Sequence, residues 1–381
     1  MLCAALTTGL CLPAHAQQVQ PGRFELPQFP LPCKAAVLIE QNSGTVLYEK
    51  NAEQQLPIAS ITKVMTMLLT MQAIGEGRVH YSDKVPVSEH AYSIGGSQIW
   101  LEPGEEFTLD EMLRAICVSS ANDAATAVAE FIGGSEPAFV EMMNQKAAEL
   151  GMDKTSFKNA CGLDTLGHIS CARDVAIMSR EILTKYPEIT KYTTIWTDSL
   201  RGGQTQLVNT NKLLKRYPGM TGLKTGTTGG AGVCLTASAT RSGLSLIGVA
   251  LGSSSSADRF TAASALLDYG FANFESAAAP SPENMPLSLP VTGGCRQQAE
   301  LQFVLPENIL VKKGEKESLT TEYELPQSLK APLEKGQQVG EITVTAGQTQ
   351  LGSWPITVKN QVDVLNLSYV LRVLWKAVLA H

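Results

Sequence analysis

The chain has 381 residues, and the usual domain size of about 100–200 residues predicts two domains, or three. A hydrophobic fraction of 44% is that of an ordinary globular protein, while the net charge of −6, without a block of Lys or Arg, argues against a nucleic-acid partner. The sequence has five His and neither an HExxH nor a CxxC pattern, so we expect no zinc site and no other metal centre.

Residues 1–16 have most features of an export signal peptide. Leu2–Leu12 is apolar or small, and Ala14-His15-Ala16 fits an A-x-A cleavage site before Gln17. No Lys or Arg precedes the apolar run, and an apolar N-terminus that merely frays is the alternative interpretation. Residues 17–32 are rich in Pro, which predicts an extended tether between the cleavage site and the first domain.

Residues 33–275 predict a first domain of the α+β class, with an antiparallel sheet and helices. Turn signals at Asn42-Ser43-Gly44 and Arg241-Ser242-Gly243 indicate a hairpin near each end of it. The predicted strands are Lys34–Glu40, Thr45–Glu49, Thr221–Thr227, Val233–Ala239 and Leu244–Leu251. The predicted helices are Ser60–Ile74, Leu109–Phe131 with a break near Ser119-Ser120, Glu136–Leu150, Cys171–Lys185 and Ala257–Phe274.

The pattern changes after this domain. Residues 276–284 are rich in Ala, Pro and Ser and are predicted to be a linker. Residues 285–360 contain short β-rich runs between turn residues, which predicts a small all-β domain.

The final segment, residues 361–381, predicts an amphipathic helix. Leu367, Val370, Leu371, Leu374 and Val378 share one helical face, and Ser368, Arg372 and Lys376 form a polar stripe. This pattern is typical of a helix that lies in the membrane interface. A transmembrane span is an alternative that two cations near the middle of the segment disfavour, and a helix docked on the protein itself is another.

The cysteines permit one further interpretation. Cys161 and Cys171 flank a short loop with two glycines, and a disulfide between them is possible in an oxidising compartment, although their spacing does not establish it. Cys117 and Cys234 lie in apolar runs and are interpreted as small buried hydrophobic residues.

Ser60-Ile61-Thr62-Lys63 is the first candidate for chemistry. A serine hydroxyl needs a base, and residues at i and i+3 of a helix lie on one face, so Lys63 can take the proton of Ser60 once it is neutral. A second cation nearby and partial burial would lower the pKa of Lys63 towards neutrality. For the pair alone, a capping serine and a solvated lysine are the favoured interpretation.

Two further motifs follow in the chain. Ser120-Ala121-Asn122 lies at the predicted helix break, where a hydroxyl can relay a proton and an amide can hold a peptide group, although a helix cap is the simpler interpretation of this motif alone. Lys224-Thr225-Gly226-Thr227 lies on a predicted strand, where an extended peptide could pair with the backbone and two side chains could bind a carboxylate, although a solvated strand end would look the same.

Together and in this order, the three motifs are typical of class A β-lactamases and penicillin-binding proteins. The chain resembles the low-molecular-mass, type-5-like penicillin-binding proteins, which are serine-type D-alanyl-D-alanine carboxypeptidases. The resemblance covers nearly the whole mature chain and includes the β domain and the terminal helix. Its further segments are Leu56-Pro57-Ile58-Ala59-Ser60, Ser119-Ser120-Ala121-Asn122-Asp123-Ala124, Gly162-Leu163-Asp164 and Gly222-Leu223-Lys224-Thr225-Gly226. It implies a β-lactamase/transpeptidase-like fold for the first domain.

The resemblance also implies roles for individual residues. Ser60 would attack the carbonyl between two terminal D-alanines, Lys63 would be its general base, and Ser120 would pass the proton to the leaving D-alanine. Asn122 would orient the peptide, and Lys224 and Thr225 would hold the terminal carboxylate. The backbone N–H groups of Ser60 and Thr227 would form the oxyanion hole, and Gly226, which has no side chain, would let the substrate approach closely. Water would complete the reaction, and no cofactor is needed.

These implications define the expected partners and location. The substrate would be a peptidoglycan stem peptide ending in D-Ala-D-Ala, β-lactams would be covalent inhibitors, and the terminal helix would hold the enzyme on the outer face of the cytoplasmic membrane. One alternative is a β-lactamase, but the Glu-x-x-Leu-Asn pattern of the class A enzymes does not occur between Asn122 and Lys224. The other is a non-catalytic envelope scaffold, which the intact set of motifs disfavours.

Overall fold

The structure is a computed structural model that describes residues 24–371 and residue 375. These residues divide into two compact units, with the division between Phe271 and Ala272. The predicted signal peptide, the first part of the predicted tether and most of the second half of the predicted terminal helix lie outside the described residues. Each unit is described by itself.

The first unit is built on a five-stranded antiparallel sheet with the order β2-β1-β9-β8-β7. Both predicted hairpins are confirmed, since β1 pairs with β2 and β8 with β9. Strand β7 lies at one edge of this sheet. The strands of the unit are β1 (Ala35–Glu40), β2 (Val46–Lys50), β3 (Lys84–Pro86), β4 (Glu106–Thr108), β5 (Thr197–Leu200), β6 (Thr205–Val208), β7 (Met220–Thr228), β8 (Gly232–Arg241) and β9 (Leu244–Ser253).

Helices pack on both faces of this sheet. A side-chain hydrogen bond of 2.9 Å joins Ser179 to Thr236 of β8 on one face, and Leu266 packs against Gly248 of β9 on the other. The helices are α1 (Lys63–Gly75), α2 (Glu89–Ser93), α3 (Leu109–Arg114), α4 (Asn122–Gly133), α5 (Glu136–Glu149), α6 (Ala172–Lys185), α7 (Thr190–Thr193) and α8 (Ser256–Asn273). Helix α1 is buried over most of its length, and its apolar side chains form part of the main core.

The predicted helix break near Ser119-Ser120 is confirmed. Helix α3 runs into a π-helical turn over Ala115–Ser119, Ser120 has a left-handed backbone with φ of 63°, and α4 begins at Asn122. Single π turns occur frequently at functional sites, because the extra residue redirects the chain. Here the turn places Ser120 and Asn122 at the junction between two helices.

The second unit is rich in β-structure, as the sequence predicted. A six-stranded sheet has the order β14-β16-β17-β12-β11-β15, and its buried side chains form a separate small core. A two-stranded ribbon joins β10 to β13. The strands are β10 (Phe274–Ala278), β11 (Ser288–Thr292), β12 (Gln298–Gln302), β13 (Asn308–Lys312), β14 (Leu319–Glu324), β15 (Leu329–Lys330), β16 (Gln338–Ala346) and β17 (Thr349–Val358).

Two sequence interpretations need correction. The first residues of the predicted linker, Ser276–Ala278, belong to β10, because pairing with Leu310, Ile309 and Asn308 supplies backbone hydrogen bonds that the composition did not suggest. Cys161 and Cys171 do not form a disulfide. Both are free and buried, and the Cys171 sulfur instead accepts a hydrogen bond from Asp174 N at the start of α6.

The predicted terminal helix over residues 361–381 begins later than the sequence suggested. Residues 361–366 are not helical, because Val362 is buried in the core of the second unit and pairs with Leu333. Residues 367–371 are helical, and so is residue 375. Leu367, Leu371 and Trp375 are 74%, 57% and 70% exposed. Within the described part of the chain, we find no helix with both the length and the apolar character that crossing a membrane requires.

Candidate active site

Ser60 lies in a short 3-10 turn, Ala59–Thr62, that leads directly into α1. The alternative interpretation of Ser60 as a helix-capping serine is not supported, because Ser60 lies inside the 3-10 turn and not at the position before it. Ile58 precedes the 3-10 turn, and neither it nor Thr62, which precedes α1, makes a side-chain capping bond. The Ser60 hydroxyl oxygen instead lies 2.9 Å from Nζ of Lys63, which is the first residue of α1.

Lys63 is fully buried, and its amine contacts three oxygen atoms. Beside Ser60 Oγ, these are Asn122 Oδ1 at 2.6 Å and the Cys161 carbonyl oxygen at 2.7 Å. Burial lowers the pKa of Lys63 to about 8, although the neighbouring Cys161 and Asp123 act in the opposite direction. Since the ordinary pKa of a lysine is about 10.4, the neutral amine is far more accessible here than in water.

Ser120 and Asn122 each contact a lysine of another motif. The Ser120 hydroxyl accepts a hydrogen bond of 2.8 Å from Lys224 Nζ. The Asn122 side chain is fixed at both ends, because its Oδ1 accepts from Lys63 and its Nδ2 donates to Gly95 O at 2.7 Å. Asn122 therefore links Lys63 to the loop between α2 and β4, which contains Gly95.

Lys224 and Thr225 lie on β7, the edge strand of the first sheet. Lys224 is 1% exposed, and its Nζ donates to Ser120 Oγ and to Thr225 O. Burial and the neighbouring charge of Lys63 hold the pKa of Lys224 well below its usual range. The Thr225 hydroxyl lies 2.6 Å from that of Thr210, a contact that the sequence did not predict.

Gly226 brings β7 against the Ser60 turn. A Cβ at this position would lie 2.9 Å from Ile58 O and 3.0 Å from Ser60 N, so a larger residue would push the strand away from the serine. Thr227 follows, and its hydroxyl donates to Gly226 O at 2.8 Å. The structure thus brings all the predicted site residues of the three motifs to one place in the first unit.

Several supporting residues were missed in the sequence. The buried carboxylate of Asp123 accepts backbone hydrogen bonds from Ile99 and Leu101 and fixes the loop whose carbonyl binds Asn122. Arg259 on α8 donates to the carbonyl oxygens of Gly226 and Cys234. Of these residues, only Asp123 could have been suspected from the sequence, since it directly follows the middle motif.

Comparisons with known proteins identify the family of the chain. A family model described as D-alanyl-D-alanine carboxypeptidase (peptidase S11) matches residues 25–255, and one described as the C-terminal domain of penicillin-binding protein 5 matches residues 286–364. The D-alanyl-D-alanine carboxypeptidase DacF of Bacillus subtilis is 46% identical over 330 residues, which cover 86% of this chain and 85% of the relative.

Solved structures give the same result. Penicillin-binding protein 5 of Haemophilus influenzae matches with a TM-score of 0.80 and 31% identity, covering 89% of this chain and 100% of that one. Penicillin-binding protein D2 of Listeria monocytogenes, in its cefotaxime-bound form, matches with a TM-score of 0.60 and 31% identity, covering 64% and 99%. The predicted fold class, a transpeptidase-like α+β domain followed by a small all-β domain, is confirmed. The chain therefore belongs to the D-alanyl-D-alanine carboxypeptidase family, peptidase S11, and combines its catalytic domain with the C-terminal domain of penicillin-binding protein 5.

Proposed function

We propose that this protein is a serine D-alanyl-D-alanine carboxypeptidase that removes the terminal D-alanine of peptidoglycan pentapeptides through an acyl-enzyme on Ser60. The observation that carries the proposal is the distance of 2.9 Å between Ser60 Oγ and the amine of Lys63, which is buried and has a lowered pKa. Membership of the S11 family and the name of the Bacillus subtilis relative support the same activity.

The contacts of Lys63 explain how it would act as a base. A neutral amine has two hydrogens and one lone pair. Asn122 Oδ1 and Cys161 O are carbonyl oxygens that can only accept, so they take the two hydrogens. The lone pair then faces Ser60 Oγ, where it can receive the hydroxyl proton as Ser60 attacks the scissile carbonyl carbon.

The edge of β7 would hold the substrate during this attack. An extended stem peptide can pair with the backbone of an edge strand, and Gly226 keeps that strand close to Ser60. The oxygen of the attacked carbonyl becomes negatively charged, and the N–H groups of Ser60 and Thr227 would stabilise it. Asn122 would orient the peptide group next to the scissile bond.

Breakdown of the tetrahedral intermediate needs a proton on the leaving nitrogen. We assign its delivery to Ser120, which would relay the proton that Lys63 took from Ser60, so that Lys63 becomes neutral and Ser120 again a hydroxyl. The Ser120 oxygen is hydrogen-bonded to Lys224. Lys224 and Thr225 would bind the free carboxylate of the terminal D-alanine. Because an arriving carboxylate favours the charged form of a lysine, substrate binding would raise the lowered pKa of Lys224 again. The acyl-enzyme would then be hydrolysed by water.

The reaction belongs to the cell envelope, where peptidoglycan is made. We place the enzyme on the outer face of the cytoplasmic membrane, held there by an amphipathic helix that begins at Leu367. The exposed apolar side chains of Leu367, Leu371 and Trp375 support this placement, since a surface that large and apolar favours insertion into the lipid interface.

The first prediction concerns the nucleophile. Wild-type protein treated with penicillin should gain the mass of one intact β-lactam, and should release D-alanine from a pentapeptide ending in D-Ala-D-Ala. Ser60→Ala should form no adduct and should lower D-alanine release by about 10³-fold or more. The exposed Ser93→Ala is the matched control and should behave as wild type. Absence of an adduct on the wild-type protein would contradict the Ser60 mechanism, and rapid multiple-turnover loss of penicillin would favour the β-lactamase alternative.

The second prediction is a pH dependence. Lys63 serves as a base only when neutral, and its folded pKa is about 8, so the acylation rate should rise with pH and approach a plateau above that value. Stopped-flow or quenched mass measurements of acylation between about pH 6 and about pH 10 would test this. A rate that is independent of pH across this interval, with the protein folded throughout, would exclude Lys63 as the base.

The third prediction separates carboxylate binding from chemistry. Thr225→Val removes one hydrogen bond to the substrate carboxylate, and such bonds to charged groups contribute about 1.5–3 kcal/mol, so kcat/KM for a D-Ala-D-Ala peptide should fall about tenfold to a hundredfold. The same peptide with a C-terminal amide should be a poor substrate for the wild type and should be affected little by the substitution. Equal losses on both substrates would contradict the assignment.

The fourth prediction concerns the membrane. A chain truncated after Leu365 lacks the proposed helix but keeps Val362, which is buried in the core of the second unit. It should appear in the soluble fraction of disrupted cells, while the full chain should sediment with membranes. Penicillin labelling of both forms would confirm that the truncated protein is folded. If the labelled, truncated protein still sediments with membranes, the terminal helix is not the anchor.

A further inference from the structure

His168 is a buried residue without a role in the chemistry described so far. It lies in the segment between α5 and α6 and is 3% exposed. Its Nε2 lies 2.7 Å from the Thr62 hydroxyl oxygen, and its Nδ1 lies 3.1 Å from the backbone nitrogen of Lys158. The ring therefore joins this segment to the turn that carries Ser60.

The direction of these hydrogen bonds follows from their donors. A backbone N–H can only donate, so Nδ1 of His168 accepts from Lys158, and the ring hydrogen of the neutral histidine is on Nε2. Nε2 then donates to the Thr62 hydroxyl, which in turn donates to the Ala59 carbonyl oxygen at 2.8 Å. Burial lowers the pKa of His168 to about 4, so the ring is neutral at physiological pH and keeps this direction.

This chain of hydrogen bonds ends at the peptide group between Ala59 and Ser60. The carbonyl of Ala59 and the N–H of Ser60 belong to the same planar amide, so fixing one fixes the other. Ala59 has φ of +48°, an unfavourable value for a residue with a Cβ, and such a conformation persists only where neighbours hold it. Gly162 is such a neighbour, since a Cβ there would lie 2.0 Å from Ala59 O.

We propose that His168 is a positioning residue for the oxyanion hole. Acting through the Thr62 hydroxyl, it holds the Ala59–Ser60 amide in place and polarises it, because a hydrogen bond accepted by an amide carbonyl strengthens the N–H of that amide as a donor. The inference rests on the proposed function, in which the Ser60 N–H binds the developing oxyanion.

This role has a kinetic signature. An oxyanion forms both when Ser60 is acylated and when water attacks the acyl-enzyme, so a misplaced Ser60 N–H slows both steps. The non-covalent binding of the ligand through Lys224 and Thr225 does not involve this amide and stays nearly unchanged. A residue that only stabilises the fold would lower the amount of active protein but not the rate constants of the molecules that remain folded.

The experiment uses the full chain and penicillin. Intact mass gives the acylation rate at several penicillin concentrations, which separates affinity from the acylation rate constant, and loss of the adduct after penicillin removal gives deacylation. Each rate is expressed per molecule that can be acylated. The variants are His168→Leu, Thr62→Val and the double variant. Thr62→Ser keeps the hydroxyl and is the matched control for Thr62→Val, while the exposed His80→Leu is the control for His168→Leu.

We expect His168→Leu and Thr62→Val each to lower both rate constants about tenfold, less than the loss of a whole oxyanion-hole donor. The double variant should lose no more than either single variant, because both break the same chain of bonds. Both controls should keep wild-type rates. If His168→Leu does not fold, the inference is tested by comparing Thr62→Val, which should be slower, with Thr62→Ser, which should keep wild-type rates.

Two results would overturn the inference. One is wild-type rate constants in His168→Leu or, where that variant does not fold, in Thr62→Val. The other is a double variant whose loss is the product of the two single losses, since the residues would then act independently. Failure of the proposed function is distinguishable, because in that case the wild-type protein itself would form no adduct at Ser60.

Discussion

The site depends on two lysine amines buried in one small volume. Lys63 and Lys224 are both almost completely inaccessible to water, and the charge of one disfavours the charge of the other. Burying a charged amine is costly unless oxygen atoms surround it, and each amine here contacts hydroxyl or carbonyl oxygens. The pKa values of both lysines are lowered by burial and, for Lys224, also by the charge of Lys63, so Lys63 would be available as a base.

The surrounding backbone is shaped to supply those oxygens. Ala59 and Ser120 both have positive φ: Ala59 begins the 3-10 turn that leads into α1, and Ser120 follows the π-helical turn after α3. The Cys161 carbonyl comes from the same segment that carries Gly162 and His168. Strain of this kind is retained only where tertiary contacts hold it, and it is commonly found at functional sites. In the proposed role, the neutral ring of His168 is one of these contacts, because it acts through the Thr62 hydroxyl on the carbonyl of Ala59.

The proposed substrate completes the electrostatics of the cleft. In its absence, burial and the charge of Lys63 disfavour the charged form of Lys224, while a terminal carboxylate would provide a counter-charge that favours it. Binding energy from the non-reacting end of the substrate would thus stabilise the site as the scissile bond reaches Ser60. This coupling gives a physical reason for an exopeptidase: a stem peptide without a free C-terminal carboxylate would leave Lys224 uncompensated.

The sequence by itself determined the α+β class, the two hairpins, the helix break at Ser119-Ser120 and the three motifs, because these depend on local periodicity, turn residues and short spacings. The sequence could not predict which distant residues contact those motifs. The contact between Lys63 and the Cys161 carbonyl spans 98 residues, and that between Lys224 and Ser120 spans 104. The free cysteines, the strand Phe274–Ala278 and the bond between His168 and Thr62 were likewise decided by packing, since each needs a partner that only the folded chain brings near.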